Sequence, residues 1–231
     1  MVQFQVLIGF KMNFKKLFFL NCIIATSLVF TSFYLTSGQW ILKKYDKGVA
    51  VYNRDLDTSS IKELKAVTQI KTSLSSIIAL LNDRETYPQW VYKCGKSYLI
   101  KKITDSEGMY YQNAVAPWPI DNRDFAVDVK VVQDPKTKVV IQTGTAMPKF
   151  IPKVEGHVRV TVFKAVWTLT PIKNGFVNCE YELLVNPGGN IPAWIVNLAA
   201  IDGPWETTVN LREWVMKDKY QKATFPFITE P

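Results

Sequence analysis

The chain has 231 residues, of which 48% are hydrophobic, and its 28 lysines and arginines outnumber 20 aspartates and glutamates to give a net charge of +8. This composition excludes a disordered chain, and the length suits one sizeable domain with an extension. The basic excess forms no run with interleaved aromatic residues, so a nucleic-acid partner is not predicted, whereas the charge suits an anionic membrane surface.

The N-terminal segment has the layout of a leader. Lys15 and Lys16 precede the apolar stretch Leu17–Leu35, and small residues follow up to Gly38. This order predicts a secretory signal peptide within residues 1–38, with Met12 as an alternative start. A retained membrane anchor is the competing interpretation, because the stretch approaches the ~20 residues that a membrane span needs. We therefore expect an exported protein, periplasmic or secreted, or one held at the membrane by this segment.

The body begins with strand patterns and one helix. Gly48–Tyr52 and Ile61–Ile70 read as strands. A helix with Thr72 or Ser73 as its cap follows, because apolar residues then recur at helical spacing, namely Leu74, Ile77, Ile78 and Leu81.

From Tyr98 onward the apolar residues alternate with polar ones. The strands predicted from this alternation are Tyr98–Ile103, Met109–Val115, Phe125–Val132, Val139–Thr145, Val158–Thr170 and Val177–Val185. Alternation of this kind is typical of an antiparallel sheet with one apolar face. Val158–Leu169 is apolar on both faces, so we expect this strand to lie in the centre of the sheet.

A long amphipathic helix is predicted near the C-terminus. Asn190 is its expected N-cap, Pro192 lies in its first turn, and Gly203-Pro204 is its expected bend. A curved sheet closing on this helix would bury both apolar faces, which predicts an α+β fold able to enclose a cavity. We place this domain at residues 39–222 and a short C-terminal tail at 223–231.

Residues typical of enzymes and metal sites are scarce. His157 is the single histidine, the chain lacks a G-x-S-x-G elbow, and one histidine excludes a multi-histidine metal site. Cys94 and Cys179 either form a disulfide or remain two thiols, and sequence does not decide between them. No catalytic residue, metal ligand or cofactor is therefore predicted.

Four segments in the right order resemble START (StAR-related lipid-transfer) domains. Pro117–Phe125, reading PWPIDNRDF, is similar to the family's PxPxxNRD(F/Y) segment, and Asn186–Asn197 resembles the start of its C-terminal helix, especially in members of the phosphatidylcholine-transfer type. The early segments Gly48–Arg54 and Tyr87–Trp90 also fit. The resemblance covers roughly 40–219, nearly the whole body.

The resemblance implies a helix-grip fold, in which a curved antiparallel sheet surrounds a hydrophobic tunnel that is closed by the C-terminal helix. It also implies a non-enzymatic protein that binds one lipid and carries it between membranes. We expect a monomer that contacts membranes transiently. The expected lipid-binding residues are Trp90, Trp118, Phe125, Val129, Met147, Phe163, Trp167, Tyr181, Ile195, Leu198 and Trp205. Any of them could instead belong to the plain core.

Two positions depart from the family pattern. Phosphatidylcholine- and sterol-type members usually carry an arginine six residues after the arginine of the NRD motif, where this chain has Val129. The acidic residue often found before the PxP segment corresponds to Asn113. These departures imply a neutral or weakly polar ligand, such as a sterol-like, fatty or isoprenoid lipid. Arg123 and Asp124 are expected, with Asn113, as polar groups at the cavity or at the start of a strand.

Two other functions are compatible with the same pattern. Related helix-grip cyclases and aromatases use such a cavity for catalysis, and Asn113, His157, Tyr110 and Tyr111 are the residues that could supply acid–base groups here. A lipid sensor anchored at the membrane is the other alternative. Turnover of a ligand would favour the enzyme, and an uncleaved leader would favour the sensor.

Overall fold

The structure, a computed structural model, describes residues 38–231 apart from the side chains of Leu198 and Ala199. The predicted signal peptide or anchor therefore lies outside the described residues. The strands are β1 (Ile41–Asp46), β2 (Val49–Leu56), β3 (Ser59–Lys71), β4 (Cys94–Lys102), β5 (Glu107–Ala114), β6 (Asn122–Gln133), β7 (Val140–Ala146), β8 (His157–Arg159), β9 (Val162–Ile172) and β10 (Phe176–Asn186). The helices are α1 (Leu74–Asn82), α2 (Tyr87–Trp90), α3 (Ala193–Ala199), α4 (Asp202–Trp214) and α5 (Asp218–Gln221), with 3₁₀ turns at Arg84–Thr86 and Lys173–Gly175.

All ten strands belong to one sheet. Nine of them follow the order β1-β2-β3-β10-β9-β7-β6-β5-β4, and the neighbours in this order pair antiparallel. The short β8 pairs parallel with the start of β6. An antiparallel sheet followed by a C-terminal helix confirms the predicted α+β helix-grip architecture. The edge strand β1 was not predicted, because most of its residues are exposed and no apolar alternation marks it.

The predicted strand Val158–Thr170 is two strands. β8 ends at Arg159, and Val160 then donates its N–H to the Asp124 carbonyl at 2.9 Å before β9 begins. β8 follows β6 in parallel, whereas β9 runs antiparallel between β7 and β10, so the chain must change partners at this point. The predicted central position holds for β9.

The short helix α1 starts where its sequence predicts. Ser73 is its N-cap, and its Oγ accepts the Ser76 N–H at 3.0 Å. The Glu230 carboxylate accepts the N–H groups of Leu74 and Ser75 at 3.0 and 2.9 Å, which places a negative charge at the positive end of the helix.

The last nine residues pack on the domain rather than forming a separate tail. Ile228 is buried, and Phe225 and Phe227 lie against the main core beside it. Gln133 exchanges hydrogen bonds of 2.8 Å with the backbone of Thr229. The compact unit accordingly runs to Pro231.

The C-terminal helix is interrupted before the predicted bend. α3 ends at Ala199 and α4 begins at Asp202, so Pro204 lies in the first turn of α4. Pro204 has no N–H for the Ala200 carbonyl, and its ring crowds that carbonyl, which ends α3 upstream of the proline. The predicted cap at Asn190 is wrong, because Pro192 holds the N-cap position without a side-chain hydrogen bond.

α4 lies against the first strands of the sheet. Val209 packs with Val49, Val51 and Ala66, and these four side chains are buried. Cys94 and Cys179 are free thiols in the main core, so the disulfide alternative is wrong. Among residues 38–231, no helix combines the length and the hydropathy that crossing a bilayer requires.

Candidate functional site: an apolar cavity

A cavity of about 490 Å³ lies between the sheet and the C-terminal helices. Successive strand residues point to opposite faces of a sheet, so every second residue of β6 and β9 reaches the same wall. The residues that these two strands contribute to the cavity are Arg123, Phe125, Val127, Val129, Phe163, Ala165 and Trp167. The wall is therefore mostly apolar.

Stacked aromatic rings stiffen this wall. Trp167 and Tyr181 lie side by side on β9 and β10, with ring centroids 4.2 Å apart and an angle of 7° between the planes. Phe125 and Phe163 stack in the same manner at 5.2 Å and 19°. Aromatic pairs of this kind stabilise a fixed geometry beyond their buried area. The wall of the cavity therefore has a fixed shape in the folded domain.

Helices and a loop complete the cavity on the opposite side. Ile195 and Val196 of α3 and Pro204 of α4 line it, together with Pro117 and Ile120 from the loop between β5 and β6. Asn197 fastens α3 to β3, because its Oδ1 accepts the Lys62 N–H and its Nδ2 donates to the Ser60 carbonyl, both at 3.0 Å.

Arg123 supports the turn that leads into α3. Its guanidinium donates to the carbonyls of Pro187 and Gly188 at 3.2 and 3.3 Å, and also to the carbonyl of Asp121. Gly189 has a φ of +70°, and a Cβ there would lie 3.2 Å from Nη2 of Arg123. A glycine is required at this position because the turn is left-handed and touches the arginine. Arg123 therefore lines the cavity with each of its three guanidinium nitrogens already donating to a backbone carbonyl.

Asp124 holds a different loop. It is fully buried and pairs with Arg159 through two hydrogen bonds, Nε to Oδ1 at 2.9 Å and Nη2 to Oδ2 at 2.8 Å. Arg159 also donates to the carbonyls of Pro148, Ile151 and Pro152 at 2.8 to 3.1 Å. Hydrogen bonding to Asp124 raises the pKa of Arg159. This pair fixes the loop after β7 and does not line the cavity.

Arg84 brings a second arginine to the cavity, from the 3₁₀ turn after α1. Its guanidinium carbon lies 4.6 Å from the ring centroids of both Tyr87 and Tyr110, which hold it by cation–π contacts. The Nε atom is shielded from solvent and donates no hydrogen bond to any residue within 38–231. Gln142 of β7 lines the cavity as well, and its Nε2 donates to Oδ1 of Asn82 at 2.9 Å.

The groups considered for catalysis are mostly elsewhere. Nδ2 of Asn113 lies 3.3 Å from Nε2 of His157, and neither residue lines the cavity; of the two tyrosines, only Tyr110 does. Burial raises the pKa of Cys94 and of Cys179 to about 12, so both thiols stay protonated at neutral pH.

Comparison with known proteins identifies the fold family. The sequence model of the START domain matches residues 26–215. The chain belongs to the START domain family. An uncharacterised protein of Pseudomonas aeruginosa is 31% identical to this START domain over 173 residues, which cover 75% of the chain and 85% of that relative.

Two further relatives have names that mention lipids. The phosphatidylcholine transfer protein of Rattus norvegicus is 25% identical over 177 residues, covering 73% of this chain and 80% of its own. The crystal structure of a STAR-related lipid transfer protein fragment from Xanthomonas axonopodis is similar with a TM-score of 0.72 and 29% identity, covering 77% of this chain and 99% of the solved one.

The structure places most, though not all, of the predicted lipid-binding residues at the cavity of this START domain. Those that line it are Trp90, Phe125, Val129, Phe163, Trp167, Tyr181 and Ile195. Their contact with lipid stays a prediction. The side chain of Leu198 lies outside the described residues. Of the predicted polar groups, Arg123 lines the cavity, whereas Asn113 and Asp124 do not.

Three predicted residues do not face the cavity. Trp118 is 93% exposed on the loop between β5 and β6, and Met147 is 41% exposed just after β7. Trp205 instead lies under Nζ of Lys44, 3.6 Å from its ring centroid, and donates to the Asp46 carbonyl. The prediction treated the C-terminal helix as continuous, and its interruption changes which residues of α4 face inward. Pro204 and Thr207 line the cavity in place of Trp205.

Sequence reasoning missed Arg84 and Gln142. Gln142 could have been found, because it shares the inward face of its strand with Val140 and Gly144, where a polar residue is unexpected. Arg84 gave no such signal, since it follows Asn82-Asp83 in what reads as an ordinary polar helix end.

Proposed function

We propose that this START domain binds one lipid molecule in its cavity and carries it between membranes without changing it chemically. The observation that carries the proposal is the cavity of about 490 Å³ with its predominantly apolar wall. A lipid chain gains ~0.8 kcal/mol for each methylene group removed from water, so tight binding needs no catalytic group. The names of the rat and Xanthomonas relatives support the same function.

The absence of catalysis is part of the proposal. Among the cavity-lining residues in the described part of the chain, we find arginine, lysine and tyrosine side chains, but no histidine, cysteine or carboxylate. Acid–base catalysis near neutral pH ordinarily uses one of those missing groups. Conversion of a bound lipid to a product on incubation would contradict this part of the proposal and favour the cyclase-like alternative.

Lipid extraction combined with native mass spectrometry tests the function directly. The full chain, purified from a lipid-rich host, is expected to carry one intact lipid per monomer, because the cavity is formed in the folded domain. A chain that is empty after purification and takes up no lipid from vesicles would refute the proposal. The same spectra report the oligomeric state, which we propose to be monomeric.

Exposed tryptophans flank the cavity opening and form the proposed membrane contact. Trp118 precedes Ile120, and Trp194 precedes Ile195; the two isoleucines line the cavity, while the tryptophans are 93% and 68% exposed. Tryptophan side chains favour the interface between lipid headgroups and acyl chains. The positive net charge of the chain would add attraction to anionic lipids.

A double variant, Trp118→Ser with Trp194→Ser, is expected to slow lipid transfer between vesicles by about tenfold while leaving the bound lipid in place. The factor corresponds to ~1.4 kcal/mol, a modest share of what two buried indoles contribute at a membrane interface. Transfer is measured with a fluorescent lipid between donor and acceptor vesicles. Tyr45→Ser, which removes another exposed aromatic ring, is the control. An unchanged transfer rate in the double variant would contradict the membrane contact.

We also propose that α3 gates the cavity. It covers the opening with Ile195, is joined to α4 by the break at 200–201, and is fastened to β3 by Asn197. Opening α3 requires the loss of those two hydrogen bonds and a change at the break, so most of the fold can stay intact. If a disulfide between α3 and β3 leaves the lipid exchange rate unchanged, the gate lies elsewhere.

Export to the periplasm or to the outside of the cell stays part of the proposal, on the basis of the leader pattern alone. The intact mass of the protein isolated from its own cells decides between cleavage and anchoring. A mass lacking about the first 38 residues supports a cleaved signal peptide. A mass that includes them, in the membrane fraction, supports the anchored sensor.

A further inference from the structure

Arg84 is held in place but not neutralised. Two tyrosine rings clamp its guanidinium, and its Nε is shielded from solvent without an acceptor. Among residues 38–231, no carboxylate lies within 4.0 Å of it, and its Nη atoms donate to no protein acceptor. Neighbouring Asp83 is engaged with Lys219 and Tyr220, and Glu85 is exposed. The side chain is half-buried, and its shielded Nε is a donor without an acceptor, which is costly, so a hydrogen-bonding partner from outside the protein would stabilise it.

The other arginines differ from Arg84 in this respect. Arg54 and Arg159 pair with carboxylates, and Arg123 and Arg212 donate to backbone carbonyls. Arg84 is thus the arginine at the cavity whose donors stay free. Lys93, the remaining cation of the cavity lining, is exposed and packs over Tyr92. Among the cationic side chains that line the cavity within residues 38–231, Arg84 is therefore the half-buried one whose N–H groups have no hydrogen-bond acceptor.

The surroundings of Arg84 form the enclosed end of the cavity. Tyr87 and Gln142 are buried, and Leu81 beside them is fully buried. Burial raises the pKa of Tyr181 on the opposite wall, and the charge of Arg84 opposes that rise, which places the guanidinium within electrostatic reach of this phenol. By contrast, two other lining residues, Ile195 and Pro117, are exposed.

We propose that the ligand is a lipid with an anionic head, a carboxylate or a phosphate monoester, and that Arg84 binds this head among the buried residues of the cavity wall. This inference rests on the proposed lipid-binding function. The planar guanidinium can give two parallel hydrogen bonds to such an anion, and its stacking between tyrosines leaves little freedom to lose on binding. It replaces the expectation of a neutral or weakly polar ligand, which rested on the missing arginine at position 129.

The test compares ligands that share one chain and differ only in the head. The delipidated full chain is titrated with oleate, oleoyl-lysophosphatidate and oleyl alcohol. We expect at least one anion to bind about tenfold or more tighter than the alcohol, as one or two charge-assisted hydrogen bonds would provide. The tighter of the two anions identifies the head as carboxylate or phosphate.

Arg84→Gln is expected to abolish this preference while oleyl alcohol still binds, and an unfolding midpoint comparable to that of the wild type shows that the variant is folded. Arg84→Lys keeps the charge without the planar fork and should retain part of the preference. Arg212→Gln removes the same charge away from the cavity and should behave as wild type, which controls for long-range attraction.

Two results would overturn the inference. Equal affinity of the wild type for the anions and the alcohol would refute the proposal of an anionic head and would leave the proposed lipid binding standing. Equal weakening of all three ligands by Arg84→Gln, with Arg84→Lys like wild type, would assign Arg84 a packing role. Binding of none of the lipids would refute the proposed function, and this inference with it.

Discussion

Replacing Ala165 with tryptophan is expected to abolish stoichiometric lipid binding by a folded domain. Ala165 lies on β9 between Phe163 and Trp167, and all three line the cavity. An indole at this position occupies space that the ligand would fill. If it displaces about four methylene groups at ~0.8 kcal/mol each, the ligand loses ~3 kcal/mol, or more than about a hundredfold in affinity. Native mass spectrometry and titration with a fluorescent fatty acid measure this loss.

The same strand supplies the matched control. Val166 is the next residue and points to the opposite face of the sheet, where it pairs with Thr143 and Glu182. Val166→Trp is expected to keep its lipid, because strands tolerate aromatic residues on such a face. Comparable unfolding midpoints for the two variants show that the effect of Ala165→Trp is local. Full lipid occupancy in Ala165→Trp would mean that the lipid binds somewhere else.

The sheet and its apolar face could be predicted because alternation is a local signal. Phe125, Val127 and Val129 share one side of β6 in any sheet that uses this strand, and all three line the cavity, as predicted for Phe125 and Val129. The division between β8 and β9 was not predictable in this way. It depends on which strands pair with β8 and β9. The valines at 158, 160 and 162 continue the alternation across the division, so the two strands read as one.

The candidate site was predictable only where side-chain direction follows from the strand period. Trp205 was misplaced because the interruption at 200–201 resets the helical phase, and the Gly203-Pro204 pair indicated a bend without giving its position. Arg84 depends on a tertiary contact. Tyr110 lies on β5, remote in the chain from the 3₁₀ turn that carries Arg84, and the two residues meet only in the completed fold, so no local pattern predicts their contact.

The stabilising contacts of the last nine residues could not be predicted from the sequence either. Phe225, Pro226 and Phe227 read as a short apolar end, with no period to assign them to an element. This segment is held to the domain by residues that are distant in the sequence. Glu230 caps α1, about 155 residues earlier in the chain, and Gln133 binds Thr229. Such contacts between remote segments are set by the completed fold.

Asp124→Asn is expected to destabilise the domain by ~3–5 kcal/mol, a large part of the ~5–15 kcal/mol typical of a folded domain. Asparagine keeps the shape of the side chain but removes the charge that balances Arg159. The Arg159 side chain is only 9% exposed and Asp124 only 1%, so water cannot replace the lost carboxylate. Because Arg159 also holds the carbonyls of Pro148, Ile151 and Pro152, the loop after β7 is expected to loosen first.

Urea unfolding followed by tryptophan fluorescence measures the loss, as a lower midpoint at an unchanged dependence on denaturant. Asp105→Asn is the control, because Asp105 pairs with Lys102 at 2.5 Å on the surface, where both partners are largely exposed. A surface pair of this kind contributes little, so the control should unfold like the wild type. If the two variants lose stability equally, the burial of the Asp124–Arg159 pair is not what stabilises the domain. A large loss in Asp124→Asn alone would mean that the aspartate of the NRD motif stabilises the fold through Arg159 and the loop after β7.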